Sequence, residues 1–205
     1  VYWIRKPKEL LIPVLKSIVT DINIDNGDLQ GAITAFRQNR EASGKGKKRK
    51  ESQVTQDTIK ELLDNDFINK YKDGMIHCKP VDLAYFDPDK KEWNIMELKA
   101  GGDLDSSNAP SNVNKLLTEF VGMNSNNCNA YFATLYNKDG EGNTWTGAVK
   151  KHLNYPSMFL IGSDFWNKIL PEGINYEEFT KIYKEALKEI DLNARIRNMI
   201  KNCIN

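Results

Sequence analysis

Residues 81–99 read Val81-Asp82-Leu83-Ala84-Tyr85-Phe86-Asp87-Pro88-Asp89-Lys90-Lys91-Glu92-Trp93-Asn94-Ile95-Met96-Glu97-Leu98-Lys99, and the fold turns on how this stretch is divided. A β-like run starts at Met75 and reaches Phe86, ending on the aromatic pair Tyr85-Phe86. Asp87-Pro88-Asp89-Lys90 carries turn chemistry, because Asp side chains bond their own backbone and Pro fixes φ. A second β-like run, from Trp93 to Leu98, follows at once, so 75–99 reads as a β-hairpin. Asp87 and Asp89 are then turn formers.

Working outward, Gly101-Gly102 ends the hairpin, and a loop rich in Asp, Ser and Asn follows. Ser111 is the expected cap of a helix whose apolar residues are Val113, Leu116, Leu117, Phe120 and Val121. Strands are expected over 130–136 and 157–161, a short helix over 165–170, and one long helix over 176–200 with Phe179, Tyr183, Ala186, Leu187 and Ile190 on one face. That long helix is expected to pack on the core. Upstream, 7–20 has helical spacing with Pro13 as a blemish, and Asp28 to Phe36 suggests another helical segment. Residues 43–51 hold Gly44, Gly46 and a basic run that breaks all periodicity, so a loop is expected. A further helix is expected over 55–70, with Ile59, Leu62 and Leu63 on its apolar side. The order is helices, hairpin, helix, strand, strand, helix: a mixed α/β fold in a single domain spanning 1–205.

The composition agrees with this scale. A chain of 205 residues, 40% of them hydrophobic, can bury one core. Mean hydropathy is −0.57, and no run approaches the roughly 20 apolar residues of a membrane span. The series of basic start, apolar centre and small-residue cleavage site is not read at the N-terminus. The chain begins at Val1 rather than Met, which leaves residues upstream open. Cys78, Cys128 and Cys203 are odd in number and far apart, which fits a reducing compartment better than a disulfide framework. His77 and His152 have no ligand spacing with them, so structural zinc is not expected. Net charge is +1 and says nothing about a polyanionic partner. Its distribution says more: Arg37, Arg40, Lys45, Lys47, Lys48, Arg49 and Lys50 are opposed only by Glu41.

Chemistry concentrates at the end of the quoted stretch. Residues two apart on a strand share a face, so Glu97 and Lys99 point together while Leu98 faces the opposite layer. Their neighbours Ile95, Met96, Leu98 and Ala100 are apolar, and buried charges are costly unless paired or used. Asp82 lies between Val81 and Leu83, and the hairpin brings it towards Glu97. Two hard carboxylates suit Mg²⁺, which retains positions for water and phosphate. A lysine beside them can hold or help deprotonate an attacking water. The alternative is a plain Glu–Lys ion pair on a half-exposed strand, which the upstream Asp82 argues against.

Asp82 followed by Glu97-Leu98-Lys99, then a helix and a strand, resembles the core of the PD-(D/E)XK nucleases. The resemblance implies a restriction-endonuclease-like core, a small central mixed β-sheet flanked by helices. Pro88-Asp89 matches the letters of that signature better, yet it sits in the polar turn only eight residues before Glu97. The departure is Val81, inserted between Pro80 and Asp82. The stretches Glu97 to Asp105, Asn108-Ala109-Pro110 into Lys115-Leu116-Leu117, and Gly162 to Trp166 are similar to type II restriction enzymes that cut GGNCC.

By that resemblance Asp82 and Glu97 bind Mg²⁺, the Leu98 backbone carbonyl assists, and Lys99 serves the water. Glu61, on a preceding helix, is a candidate to complete the site, weighed against an exposed surface role. The implied substrate is double-stranded DNA, cut to leave 5′-phosphates. A homodimer is implied for a palindromic target, with a DNA methyltransferase as functional companion rather than binding partner and a prokaryotic cytoplasm as location. Lys45, Lys47, Lys48, Arg49 and Lys50 would then clamp phosphates, against the alternative of a solvated loop. Lys150 and Lys151, near Trp145 and His152, form a second candidate DNA surface, with Trp145 equally suited to the core. A repair or junction-resolving nuclease of the same core, and a non-catalytic nucleic-acid-binding module, are the rival readings.

Overall fold

The computed structural model describes residues 23–24, 27–43, 53–64, 76–77, 81–101 and 104–204. The expected helix over 7–20 and the basic loop over 43–51 lie essentially outside them. The elements are β1 (Asn23–Ile24), α1 (Gly27–Ser43), β2 (Ile76–His77), β3 (Leu83–Asp87), β4 (Glu92–Lys99), α2 (Ala109–Met123), β5 (Cys128–Thr134), β6 (Phe159–Ile161), α3 (Ser163–Ile169), α4 (Tyr176–Glu189) and α5 (Leu192–Ile204). A four-stranded sheet runs in the order β3-β4-β5-β6. The β3–β4 pair is antiparallel, and β4–β5 and β5–β6 are parallel. This is a mixed α/β fold with a mixed sheet flanked by helices, a restriction-endonuclease-like core.

The hairpin is confirmed, with shorter arms. Leu83 pairs with Met96 and Asp87 with Glu92, while Ile76–His77 pairs with Asn23–Ile24 instead. Asp87 forms the turn as expected: its Oδ1 accepts from the backbone N–H groups of Asp89 (3.0 Å) and Lys90 (3.2 Å). Parallel strands need a crossover, and α2 supplies it between β4 and β5.

Each face of the sheet buries its own layer. Ile95 belongs to the larger core with Leu29 and Ile33 of α1, Val113, Leu116, Leu117 and Phe120 of α2, and Phe132. Met96, with Leu98 packed against it, belongs to a second cluster with Tyr85, Ala133, Phe165 and Ile169. Period-two alternation along β4 therefore assigns Glu97 to the α2 side and Leu98 to the other. Trp145 is fully buried against Phe132 and Phe159, at centroid distances of 5.8 and 5.6 Å.

Several expected elements differ. The helix over 55–70 is a 3-10 segment, Thr58–Leu63, within the described residues, with Ile59 and Leu62 buried. Helix α2 starts at Ala109 rather than after Ser111, because Pro110 fits the first turn, where no N–H is needed. The long C-terminal helix is two helices, broken where Asp191 takes φ +41°. Its contact with the core is slight: Phe179 stacks on Trp166 at 4.4 Å, yet α4 buries no residue, and Ile182, Tyr183, Ile190, Ile196, Met199 and Ile200 are exposed.

Candidate active site

The site forms at the C-terminal end of β4, opposite the hairpin turn. Glu97 is 2% exposed, held on the α2 face by strand alternation. Lys99, two residues on, curls back and donates to Glu97 Oε1 at 2.5 Å. Asp82 is not inside a strand, as the sequence suggests; it lies at a bend immediately before β3 and is 35% exposed. The ladder stops at Leu83–Met96, and the Leu98 N–H donates instead to Asp82 Oδ2 at 2.9 Å. That side-chain bond brings Asp82 beside Glu97, so Asp82, Glu97 and Lys99 do converge.

Two further residues join them that sequence reasoning missed. Lys115, on α2, donates to Glu97 Oε2 and lies 3.4 Å from Asp82 Oδ1. Glu97 thus has an ammonium at each oxygen. One helical turn on, Glu119 is fully buried, with Oε1 3.5 Å from Lys115 Nζ. Neither Glu119 oxygen accepts a hydrogen bond. Burial, reinforced by the Glu97 and Asp82 charges, pushes its carboxyl up to about 8, against the pull of Lys115. Burial alone would lower the Lys115 ammonium, but Glu97, Glu119 and Asp82 outweigh it and raise it. A signal was present in Lys115-Leu116-Leu117-Thr118-Glu119-Phe120: a charged i,i+4 pair beside a helix's buried stripe has to face something polar.

The remaining expected residues lie elsewhere. Glu61 is 58% exposed and ion-paired with Arg40, the surface role weighed for it. Lys150 donates to the Trp145 carbonyl at 2.9 Å and lies over the Tyr155 ring, whereas Lys151 is exposed. His152 is buried with Arg37, whose guanidinium reaches Asn114 Oδ1 at 2.9 Å, so Arg37 braces α1 on α2. Lys45, Lys47, Lys48, Arg49 and Lys50 lie outside the described residues. Cys128 is buried and free of disulfide. Among the described residues no helix is long and apolar enough to cross a membrane.

The donor set is two hard carboxylates, Asp82 and Glu97, next to the Leu98 backbone. Among the described residues, no group of three or more His, Cys, Asp or Glu could hold a metal ion. Two hard oxygen donors are the kind that a cation keeping most of its shell as water and phosphate takes, as Mg²⁺ does. Lys115 already places a positive charge against both carboxylates, which shows that their oxygens face a common point.

A four-stranded mixed sheet flanked by helices is consistent with a restriction-endonuclease-like core. The profile of the family described as "Type II restriction endonuclease, HinfI" matches residues 20–186. The chain belongs to this family of type II restriction endonucleases, DNA-cutting enzymes of restriction systems. A short stretch is also similar to the ribosome maturation factor RimM of Clostridium botulinum. Identity is 81% over 26 residues in strain Eklund 17B and 77% over 26 residues in strain Alaska E43, 13% of this chain and 16% of each relative. RimM of Clostridium beijerinckii is 75% identical over 24 residues, 12% of this chain and 14% of that protein. The chain thus spans about a sixth of the length of these relatives. No solved structure gives a significant match.

Proposed function

We propose that this restriction endonuclease is Mg²⁺-dependent, with Asp82 and Glu97 as metal ligands and Lys99 as the residue that serves the attacking water. The observation that supports it is the convergence of Asp82, Glu97 and Lys99 at one end of β4, with cationic nitrogens against both carboxylates. Bound Mg²⁺ would supply charge stabilisation for the phosphodiester transition state and the departing 3′ oxygen. Glu97, buried at the floor, holds its carboxylate fixed through the strand. Asp82, at the rim, is oriented by the Leu98 N–H, and the Leu98 carbonyl is the third protein donor in this reading. Lys99 is 26% exposed and anchored on Glu97, so its ammonium borders solvent where a water and a phosphate would enter.

Attack by water on phosphorus with loss of the 3′ oxygen leaves 5′-phosphate and 3′-hydroxyl ends. Exposed Lys151, its sequence neighbour Lys150 and the run from Lys45 to Lys50 are the proposed phosphate contacts. A homodimer follows from matching a two-fold DNA target with a two-fold protein. A companion methyltransferase would protect host DNA in a prokaryotic cytoplasm. The test is chemical: fragments produced with Mg²⁺ should religate without kinase treatment, and mapping their ends reads the target, GGNCC being the first sequence to examine. Fragments that need a kinase before ligation would contradict the 5′-phosphate assignment.

A further inference from the structure

We infer that Lys115 and Glu119 form a positioning pair, in which Lys115 acts as a built-in counter-cation that yields the carboxylates to the metal and withdraws towards Glu119. This rests on the metal-site reading of Asp82 and Glu97. Three observations carry it. The Lys115 ammonium contacts Glu97 Oε2 and lies 3.4 Å from Asp82 Oδ1, the place a shared cation would take. Glu119 lies one turn along the same helix, its Oε1 3.5 Å from that ammonium, so a rotation of the lysine end suffices to reach it. The Glu119 carboxylate is fully buried and accepts no hydrogen bond at either oxygen. A buried carboxylate whose nearest cation stands off at 3.5 Å is costly unless another arrangement of the side chains brings that cation closer.

The arrangement does two things. Without a divalent cation, Lys115 and Lys99 together balance Asp82 and Glu97, and Lys115 keeps the two carboxylates facing one another, so the site is preorganised. A divalent cation between Asp82 and Glu97 would repel the Lys115 ammonium from Glu97 Oε2 and Asp82 Oδ1, and Glu119 is the carboxyl within its reach. Positioning is thus coupled to metal affinity, and the coupling is reciprocal.

Mn²⁺ binding without DNA, read from the loss of the free-ion EPR signal, tests this without reference to cleavage. Wild-type protein should bind Mn²⁺, and Glu97→Ala should lose that binding. Removing the competing charge in Lys115→Met should tighten Mn²⁺ binding by about tenfold. Glu119→Gln should weaken it severalfold, and less so when combined with Lys115→Met. Unchanged or weaker binding by folded Lys115→Met would overturn the inference while leaving the metal site standing. Absence of Mn²⁺ binding by wild type would overturn both. Should Lys115→Met fail to fold, the wild type decides: the Lys115 ammonium resonance in ¹⁵N-lysine NMR should shift on saturation with Mg²⁺, and a resonance that does not move overturns it.

Discussion

Glu97 is where the account is most exposed, since strand, metal and both lysines meet on its carboxylate. Replacing it with Gln preserves shape but removes the charge that both ammoniums and the cation need. Cleavage should fall by roughly a thousandfold or more, and gel-shift binding of DNA should persist. Lys99→Ala should lose cleavage on the same scale with Mn²⁺ binding retained, because Lys99 is assigned to the water and not to the cation. Loss of metal binding in Lys99→Ala would show that Lys99 is needed to hold the Glu97 carboxylate for the cation, not only to serve the water. Gly101 offers a structural check two residues on. It adopts φ +148°, and a Cβ there would lie 2.5 Å from the Tyr136 ring. Gly101→Ala should destabilise the protein by about 1–2 kcal/mol, measured by urea unfolding; an unchanged midpoint would show that the loop relaxes freely. At this scale the meeting of Asp82, Glu97 and Lys99 was legible from the two-residue strand spacing and the hairpin turn, although Asp82 lies at a bend before its strand rather than within it. Lys115 and Glu119 were not, because a helical i,i+4 charge pair usually faces solvent, and only the packing of α2 on the sheet turns this one inward.

Helix α2 is the element that completes the site. Its Leu116 and Phe120 are fully buried against the sheet, and the same packing fixes the rotation that aims Lys115 and Glu119 at Glu97. Leu116→Ala should cost about 3 kcal/mol of stability and should also tighten Mn²⁺ binding in the direction of Lys115→Met, since a tilted helix draws the competing Lys115 ammonium off Glu97 and Asp82. A stability loss with unaltered metal binding would separate the core from the site. The hairpin could be read from Asp87-Pro88-Asp89-Lys90, which dictates a turn by local bonds. The helix start was misread because Ser111 resembles a cap, whereas Asp105 organises the approach by accepting from the N–H groups of Ser107 (3.0 Å) and Asn108 (2.7 Å). The break at Asp191 had no Gly or Pro to announce it.

For the whole molecule, the sheet sets the site at one end and the turn at the other, with an apolar layer on each face. The order of elements made the mixed α/β class legible, because a hairpin followed by helix and strand leaves few topologies. The fate of the C-terminal helices was not legible: amphipathic spacing marks an apolar face but not what covers it. Two-fold pairing belongs to this scale, and sedimentation equilibrium should show a dimer, with a monomer at micromolar concentration counting against it. On the proposed reading, the molecule cuts duplex DNA through Asp82, Glu97 and Lys99 with Mg²⁺. Incubation of plasmid DNA with the protein tests it most directly. Discrete fragments should form with Mg²⁺ and disappear with EDTA or with Glu97→Gln. Fragments that persist in EDTA, or that Glu97→Gln still produces at the wild-type rate, would contradict the account.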